Sequence, residues 1–262
     1  MCISRSVGHS GQNDFVDVKV VQTLINLNRY RFAPPVPKKL VTDGLIGSKT
    51  VDAIQRFETQ VMGQAESDGI VAPGDATVRA LIAGLAAGLS GEKLGAIMPH
   101  ATAKNLARYF QPLVDAMPKY EINSDLRMAH FLAQIGHESG SLRFSEELAS
   151  GEAYEGRADL GNTRPGDGKR FKGRGLIQLT GRANYQSYSD ATGIDYIKNP
   201  GALSSDPNAA VDVACWYWKT RGLNALADAD DVRAVTKRIN GGFNGLDDRV
   251  SFLGRAKGFL GV

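Results

Sequence analysis

Apolar residues recur at helical spacing along most of the chain. Val18, Val21 and Ile25 predict one helix, and Ala53, Ile54, Phe57 and Val61 predict another. Over 126–138 the apolar residues Met128, Phe131, Leu132 and Ile135 stand at i, i+3, i+4 and i+7 and share one helical face. Punctuation agrees with a mainly α-helical chain. Asp206-Pro207 opens a helix running through Trp218, and Asp230 or Asp231 opens one closed by Gly241-Gly242. The proline-rich FAPPVPKK, 32–39, must be loop.

An internal repeat organises the N-terminal part. DGLIGSKTVDAI (43–54) and DGIVAPGDATVRAL (68–81) share an Asp-Gly turn, an apolar pair, a corner bearing Gly or Pro, and then Thr-Val-x-Ala-(Ile/Leu). Each copy predicts a tight turn followed by a helix, with Ser48 or Asp75 as N-cap and glycine supplying the positive φ. Three short helices around a small core suit this length. GLAAGLSG, beginning at Gly84, is small and glycine-rich, as a linker is. The expected organisation is a three-helix domain over 8–84, a linker over 85–91 and a larger helical domain over 92–262. Both tryptophans and most tyrosines lie in the larger part.

Composition narrows the function classes. At 262 residues and 42% hydrophobic the chain can bury a sizeable core, and a net charge of +3 is too small for a dense basic stripe that binds nucleic acid. There are two cysteines, Cys2 and Cys215, without metal-type spacing. His137-Glu138 is not a zinc motif, because HExxH requires histidine where Ser141 stands. No metal, cofactor or stable membrane insertion is expected, and no run of ~18 apolar residues occurs. MCISRSVGHSGQ lacks the apolar core of a signal peptide, so cytoplasmic synthesis is expected; a monomer is a separate expectation.

The candidate chemistry starts at FLAQIGHESGS, 131–141, where an apolar helix stops at a carboxylate. At ~100° per residue Glu138 falls beside Phe131 at the rim of the stripe, with His130 and His137 on the opposite side. Apolar neighbours favour the protonated form of such a carboxyl, which a general acid requires. Glu146 and Glu147 follow beyond Ser139-Gly140, and glycoside hydrolysis uses two carboxylates flanking the scissile bond. RFKGRGLIQLTGRANY, 170–185, interleaves glycines that admit a close ligand with Gln178, Thr180, Asn184 and Tyr185. It contains neither GxxxxGK[ST] nor GxGxxG, which argues against nucleotide binding.

FLAQIGHESGS, EELASGEAYEGR, GNTRPGDGKRFKGRGLIQLTGRANY and RINGGFNGLDDRVSF together resemble glycoside hydrolase family 19, the chitinase-like fold related to lysozymes, from about residue 92 onward. The resemblance implies Glu138 as proton donor and Glu147 as general base, with the adjacent Glu146 an open alternative. It implies that Thr180 helps hold the attacking water and that Gln178, Tyr185, Asn240 and Arg249 bind substrate, Arg249 close to the acid. It also implies inversion at the anomeric carbon. VKVVQTLINLN and DGLIGSKTVDAIQRFE resemble the small helical peptidoglycan-binding domain of cell-wall hydrolases. Chitin and peptidoglycan both fit the larger domain; the smaller one favours bacterial peptidoglycan, as would basic charge at Arg164, Lys169, Arg170, Lys172 and Arg174. The expected protein is a muramidase: a phage endolysin released through a holin, or a wall-degrading effector injected by a secretion machine. A chitinase and a catalytically silent wall-binding protein are the alternatives.

Overall fold

The computed structural model describes residues 1–262. It is mainly α-helical, as expected, and its contacts divide it into two compact units, Met1–Pro99 with Ser251–Val262, and His100–Val250.

The first unit contains β1 (Val7–Gly8), α1 (Phe15–Leu27), α2 (Ser48–Arg56), β2 (Ile70–Val71), α3 (Ala76–Ala83) and α4 (Gly91–Ile97). α1 is its centre: Val18, Val20, Val21, Leu24 and Ile25 are buried, and α2, α3 and α4 all pack on it. Both repeat copies form a turn and a helix, with Gly44 at φ +76° and Gly69 at φ +66°. Asp75 caps α3 by accepting from Val78 N at 2.7 Å. Ser48 does not cap α2, because it is already the first helical residue after Gly47. Gln22 of α1 holds that turn instead, accepting from Gly44 N at 3.0 Å and donating to Leu45 O at 3.0 Å. Beyond Arg56 the helix widens into a π-helical stretch, Phe57–Val61. This brings buried Glu58 to Thr77 Oγ1 at 3.0 Å and Gly69 N at 3.3 Å, tying the first copy to the second. The two-residue antiparallel ladder of β1 with β2 was not legible in the pattern.

The unit boundary also differs from the expected one. Residues 85–91 are not a free tether: the buried Lys93 ammonium donates to Ala86 O and Gly88 O, and Ser90 caps α4. Residues 251–260 complete the first unit as well, burying Ala256 and Phe259. A β-carbon at Gly254 would lie 2.4 Å from Met1 O, and one at Gly258 would lie 2.6 Å from Cys2 Cβ, so these glycines admit the first residues of the chain.

The second unit contains α5 (Ala103–Ala116), α6 (Asp125–Glu138), α7 (Asp167–Arg170), α8 (Arg182–Thr192), α9 (Ala202–Ser205), α10 (Pro207–Thr220), α11 (Leu223–Asp228) and α12 (Val232–Asn240). It also holds the start of α13 (Leu246–Leu260). Asp206 caps α10 ahead of Pro207, Asp231 caps α12, and Gly241 closes α12 at φ +72°. α10 packs on α5, α9 and α11, and α6 packs on α11. Phe131 of α6 meets Trp218 of α10 edge to face, centroids 5.4 Å apart, a contact worth ~0.5–1.5 kcal/mol beyond its area. α6 is buried all round from Ala129 to Gly136, not on one face. His130, expected on the solvent side, is fully buried with Nε2 2.8 Å from Asp230 Oδ1. Both ends of α6 emerge, and the last turn carries Glu138.

Candidate active site

The end of α6 is fixed by Ser139. Its hydroxyl donates to Ile135 O at 2.5 Å and accepts from Leu142 N at 2.8 Å. Gly140, Ser141 and Leu142 then all take positive φ, +56°, +62° and +61°. Two of these are not glycine, and such conformations persist only where their surroundings enforce them. The turn redirects the chain toward Glu146 and Glu147.

Glu138 does not stand against bare apolar neighbours, as the helical wheel suggested. Arg249 Nη2 donates to Glu138 Oε1 at 2.5 Å, and Nη1 donates to Gln134 Oε1 at 2.5 Å, one turn earlier on α6. The Arg249 side chain is 2% exposed and that of Glu138 is 20% exposed. Arg249, expected to bind substrate, is therefore buried behind the carboxylate and positions it.

The structure separates the two candidate bases. Glu146 pairs with Arg174 at 3.1 Å and Lys172 at 3.2 Å, and accepts from Ser204 Oγ at 3.2 Å. Burial pushes its pKa up, but these partners outweigh burial and hold it below the usual carboxylate value. Glu147 is held in the other direction. Its Oε2 accepts from Gly173 N at 3.1 Å, its Oε1 accepts from Tyr154 OH at 3.0 Å, and its backbone N donates to Gly173 O at 2.9 Å.

Gly173 is the meeting point of the predicted side chains. A β-carbon there would come within 2.9 Å of Gln178 Oε1, 3.3 Å of Glu147 Oε2 and 3.4 Å of Thr180 Oγ1. Gln178, itself at φ +57°, spends its amide donor on Gly175 O at 3.0 Å, and Thr180 Oγ1 donates to Gln178 O at 2.9 Å. Three acceptors thus converge on Gly173, where a β-carbon would crowd them. Such a set suits a small molecule with protons to give, as water has.

Beside this cluster lies a cavity of ≈ 240 Å³ lined by Glu138, Gln178, Thr180 and Asn240, all expected, together with Asn184, Tyr217 and Arg221. Tyr217 and Arg221, one helical turn apart at the end of α10, were missed by sequence reasoning. Their i, i+4 spacing on either side of a buried Trp218 was the available signal. Tyr185 does not reach the cavity. It is fully buried, its hydroxyl donates to Lys172 O at 2.8 Å and accepts from Arg174 Nη1 at 3.2 Å, and burial pushes its pKa up to about 12. Helix α8 begins at Arg182, so Tyr185 faces inward and supports the loop from below.

Most of the basic cluster is likewise consumed internally. Arg174 and Lys172 hold Glu146, Lys169 pairs with Glu152 at 2.7 Å, and Arg170 donates to Ile197 O at 2.8 Å. Lys172 and Arg174 are scaffolding for the loop, whereas Arg164, Lys169 and Arg170 remain exposed. No group of three or more His, Cys, Asp or Glu side chains is arranged to hold a metal, and no helix is long and apolar enough to cross a membrane.

Known proteins share this architecture. The family model described as chitinase class I, of the glycoside hydrolase 19 type, matches residues 123–234. A glycosyl hydrolase family 19 domain-containing protein of Haemophilus influenzae is 33% identical over 184 residues, 58% of this chain and 88% of its own length. An endochitinase of Arabidopsis thaliana is 36% identical over 115 residues, 44% of this chain and 39% of its own length. Among solved structures, chitinase C from Streptomyces griseus superposes with a TM-score of 0.56 at 24% identity, over 66% of this chain and 92% of that one. A class IV chitinase from Zea mays gives 0.55 at 21% identity, over 66% and 93%. The structural matches establish a shared helical fold. The chain belongs to glycoside hydrolase family 19.

Proposed function

We propose that the protein is a peptidoglycan hydrolase of muramidase type, cleaving the β-1,4 bond between N-acetylmuramic acid and N-acetylglucosamine. One observation carries this reading beyond the family: the chain joins a family 19 cleft to a separate small helical unit built on the doubled Asp-Gly turn and helix. The first unit would hold the enzyme on bacterial wall and raise its effective concentration there. The setting is a monomer made in the cytoplasm that reaches periplasmic wall by holin-type release or injection.

Glu138, half-buried in the last turn of α6, gives its proton to the leaving glycosidic oxygen. Glu147 takes a proton from the attacking water on the opposite face of the sugar. Thr180 Oγ1 donates its own proton to Gln178 O, so its lone pairs accept the second water hydrogen while Glu147 accepts the first. Both carboxyls regain their starting state when the proton from Glu147 returns to Glu138 through solvent. Inversion of the anomeric centre follows from attack opposite the leaving group. Asn184, Tyr217 and Asn240 line the space where the sugar sits.

A second reading, a chitinase acting on N-acetylglucosamine polymers, is supported by the endochitinases among the relatives. The test is digestion of purified Gram-negative peptidoglycan and of chitin oligomers by wild type, Glu138→Gln and Glu147→Gln, with fragments read by mass spectrometry and reducing-end labelling. Reducing N-acetylmuramic acid ends, lost in both variants, are expected. Cleavage of chitin oligomers alone would establish the chitinase, and inactivity on both substrates would leave a silent wall-binding protein.

A further inference from the structure

The cleft holds one cation that the hydrolytic chemistry does not use. Arg221 lines the cavity with Glu138 and Thr180, directly after α10. Its guanidinium carbon lies 5.0 Å from the ring centroid of Tyr217, another lining residue. Contact with a ring limits the motion of a guanidinium while leaving N–H groups to donate. The Tyr217 phenol also registers both charges of the cavity: burial raises its pKa, Arg221 opposes that rise and Glu138 adds to it.

Neighbouring cations of the same unit are neutralised. Arg249 is paired with Glu138, Arg174 and Lys172 with Glu146, and Arg182 with Asp167 at 2.5 Å. Arg221 forms no ion pair, and a second cation, Arg238, donates from Nη1 to Arg221 O at 3.1 Å. Within the cleft, the one carboxylate beside Arg221, Glu138, is already paired with Arg249, so Arg221 presents an unpaired positive charge to the substrate.

A neutral polymer of N-acetylglucosamine has nothing to answer that charge. A muramyl glycan has, because its alternate sugars carry a lactyl carboxylate or, when substituted, a peptide stem with carboxylates of its own. We propose that Arg221 is a specificity-determining residue that receives a substrate carboxylate, so that the cleft selects an anionic N-acetylated glycan over a neutral one. The proposal rests on the peptidoglycan reading above and assigns to the catalytic unit a discrimination separate from wall binding by the first unit. Arginine suits the task because its planar fork can give two parallel hydrogen bonds to one carboxylate.

The test compares full-length wild type, Arg221→Gln and Arg221→Lys on three substrates: intact peptidoglycan, glycan strands stripped of peptide so that the lactyl carboxylate is free, and the same strands with that carboxylate converted to a methylamide. The ratio of kcat/KM on carboxylate strands, or on intact wall, to that on methylamide strands is expected to fall about tenfold in Arg221→Gln, mostly through KM. Arg221→Lys should recover part of the ratio, and added salt should shrink the preference of wild type. A loss confined to intact wall identifies the stem peptide as the source of the carboxylate; a loss on stripped strands identifies the lactyl group. An unchanged ratio on both, in a variant that melts like wild type, overturns the proposal while leaving a muramidase. A wild type that cleaves only chitin oligomers overturns the peptidoglycan reading and the proposal with it.

Discussion

Arg249→Met tests whether the buried arginine is the keystone of the acid's position. The side chain is 2% exposed and makes two 2.5 Å hydrogen bonds, to Glu138 Oε1 and Gln134 Oε1. Removing one partner of a buried ion pair costs ~3–5 kcal/mol. Glu138 retains 20% exposure, which places this pair at the lower end, about 3 kcal/mol. Gln134 is fully buried, so its orphaned carbonyl oxygen adds about 1 kcal/mol or more. The expected loss is about 4 kcal/mol, read by urea denaturation followed through tryptophan fluorescence. Both tryptophans, Trp216 and Trp218, lie in the second unit, so the signal reports the unit that carries the pair. Adding Gln134→Leu removes the orphaned acceptor, and the double variant should be less destabilised than the sum of the two single changes. Strict additivity, or a loss under about 1 kcal/mol for Arg249→Met, would refute the reasoning.

The same geometry changes the expectation for Glu138→Gln. The amide keeps a hydrogen bond but not the charge opposite Arg249, so about 1–2 kcal/mol of stability should disappear along with turnover, measurable in the same denaturation experiment. Gly173→Ala should lower kcat about 100-fold, because its methyl group presses on Glu147, Gln178 and Thr180; near-normal hydrolysis would show that the three acceptors do not act together. The hydrogen bond from Arg182, against a smaller opposing effect of burial, holds Asp167 below the usual carboxylate value. A depressed carboxyl stabilises fully above its unfolded pKa, ~3.9, and loses that contribution as pH falls through the folded value. Asp167→Asn should therefore flatten the acid limb of the stability curve and cost about 3 kcal/mol at neutral pH; an unaltered acid limb would assign the pH dependence elsewhere.

Much of this was legible in the sequence because it is local. The stop of α6 at Glu138, the capping by Asp75, Asp206 and Asp231, and the two Asp-Gly turns follow from neighbours within a few residues. What failed depended on distant partners. The setting of Glu138 comes from Arg249, 111 residues away, and the π-helical stretch after α2 serves a hydrogen bond that Thr77 donates to Glu58. Tyr185 was misassigned for a related reason: a polar residue in a glycine-rich segment looks exposed until the helix beginning at Arg182 turns it inward. The choice between Glu146 and Glu147 was invisible to spacing, since adjacent residues differ only in which partners the fold brings them.

The first unit is closed by residues 251–262, which follow the whole of the second unit in sequence. On a ribosome it is therefore the first to be begun and the last to be finished. While its helices α1 to α4 await Ala256 and Phe259, the intervening 151-residue unit, His100–Val250, can fold to completion. A protease cut within 85–91 would not release a finished fragment from the intact chain, because the C-terminal strap belongs to the same unit. Excising residues 8–84 as a stand-alone wall probe omits α4 and that strap; a faithful probe would have to splice 1–99 to 251–262.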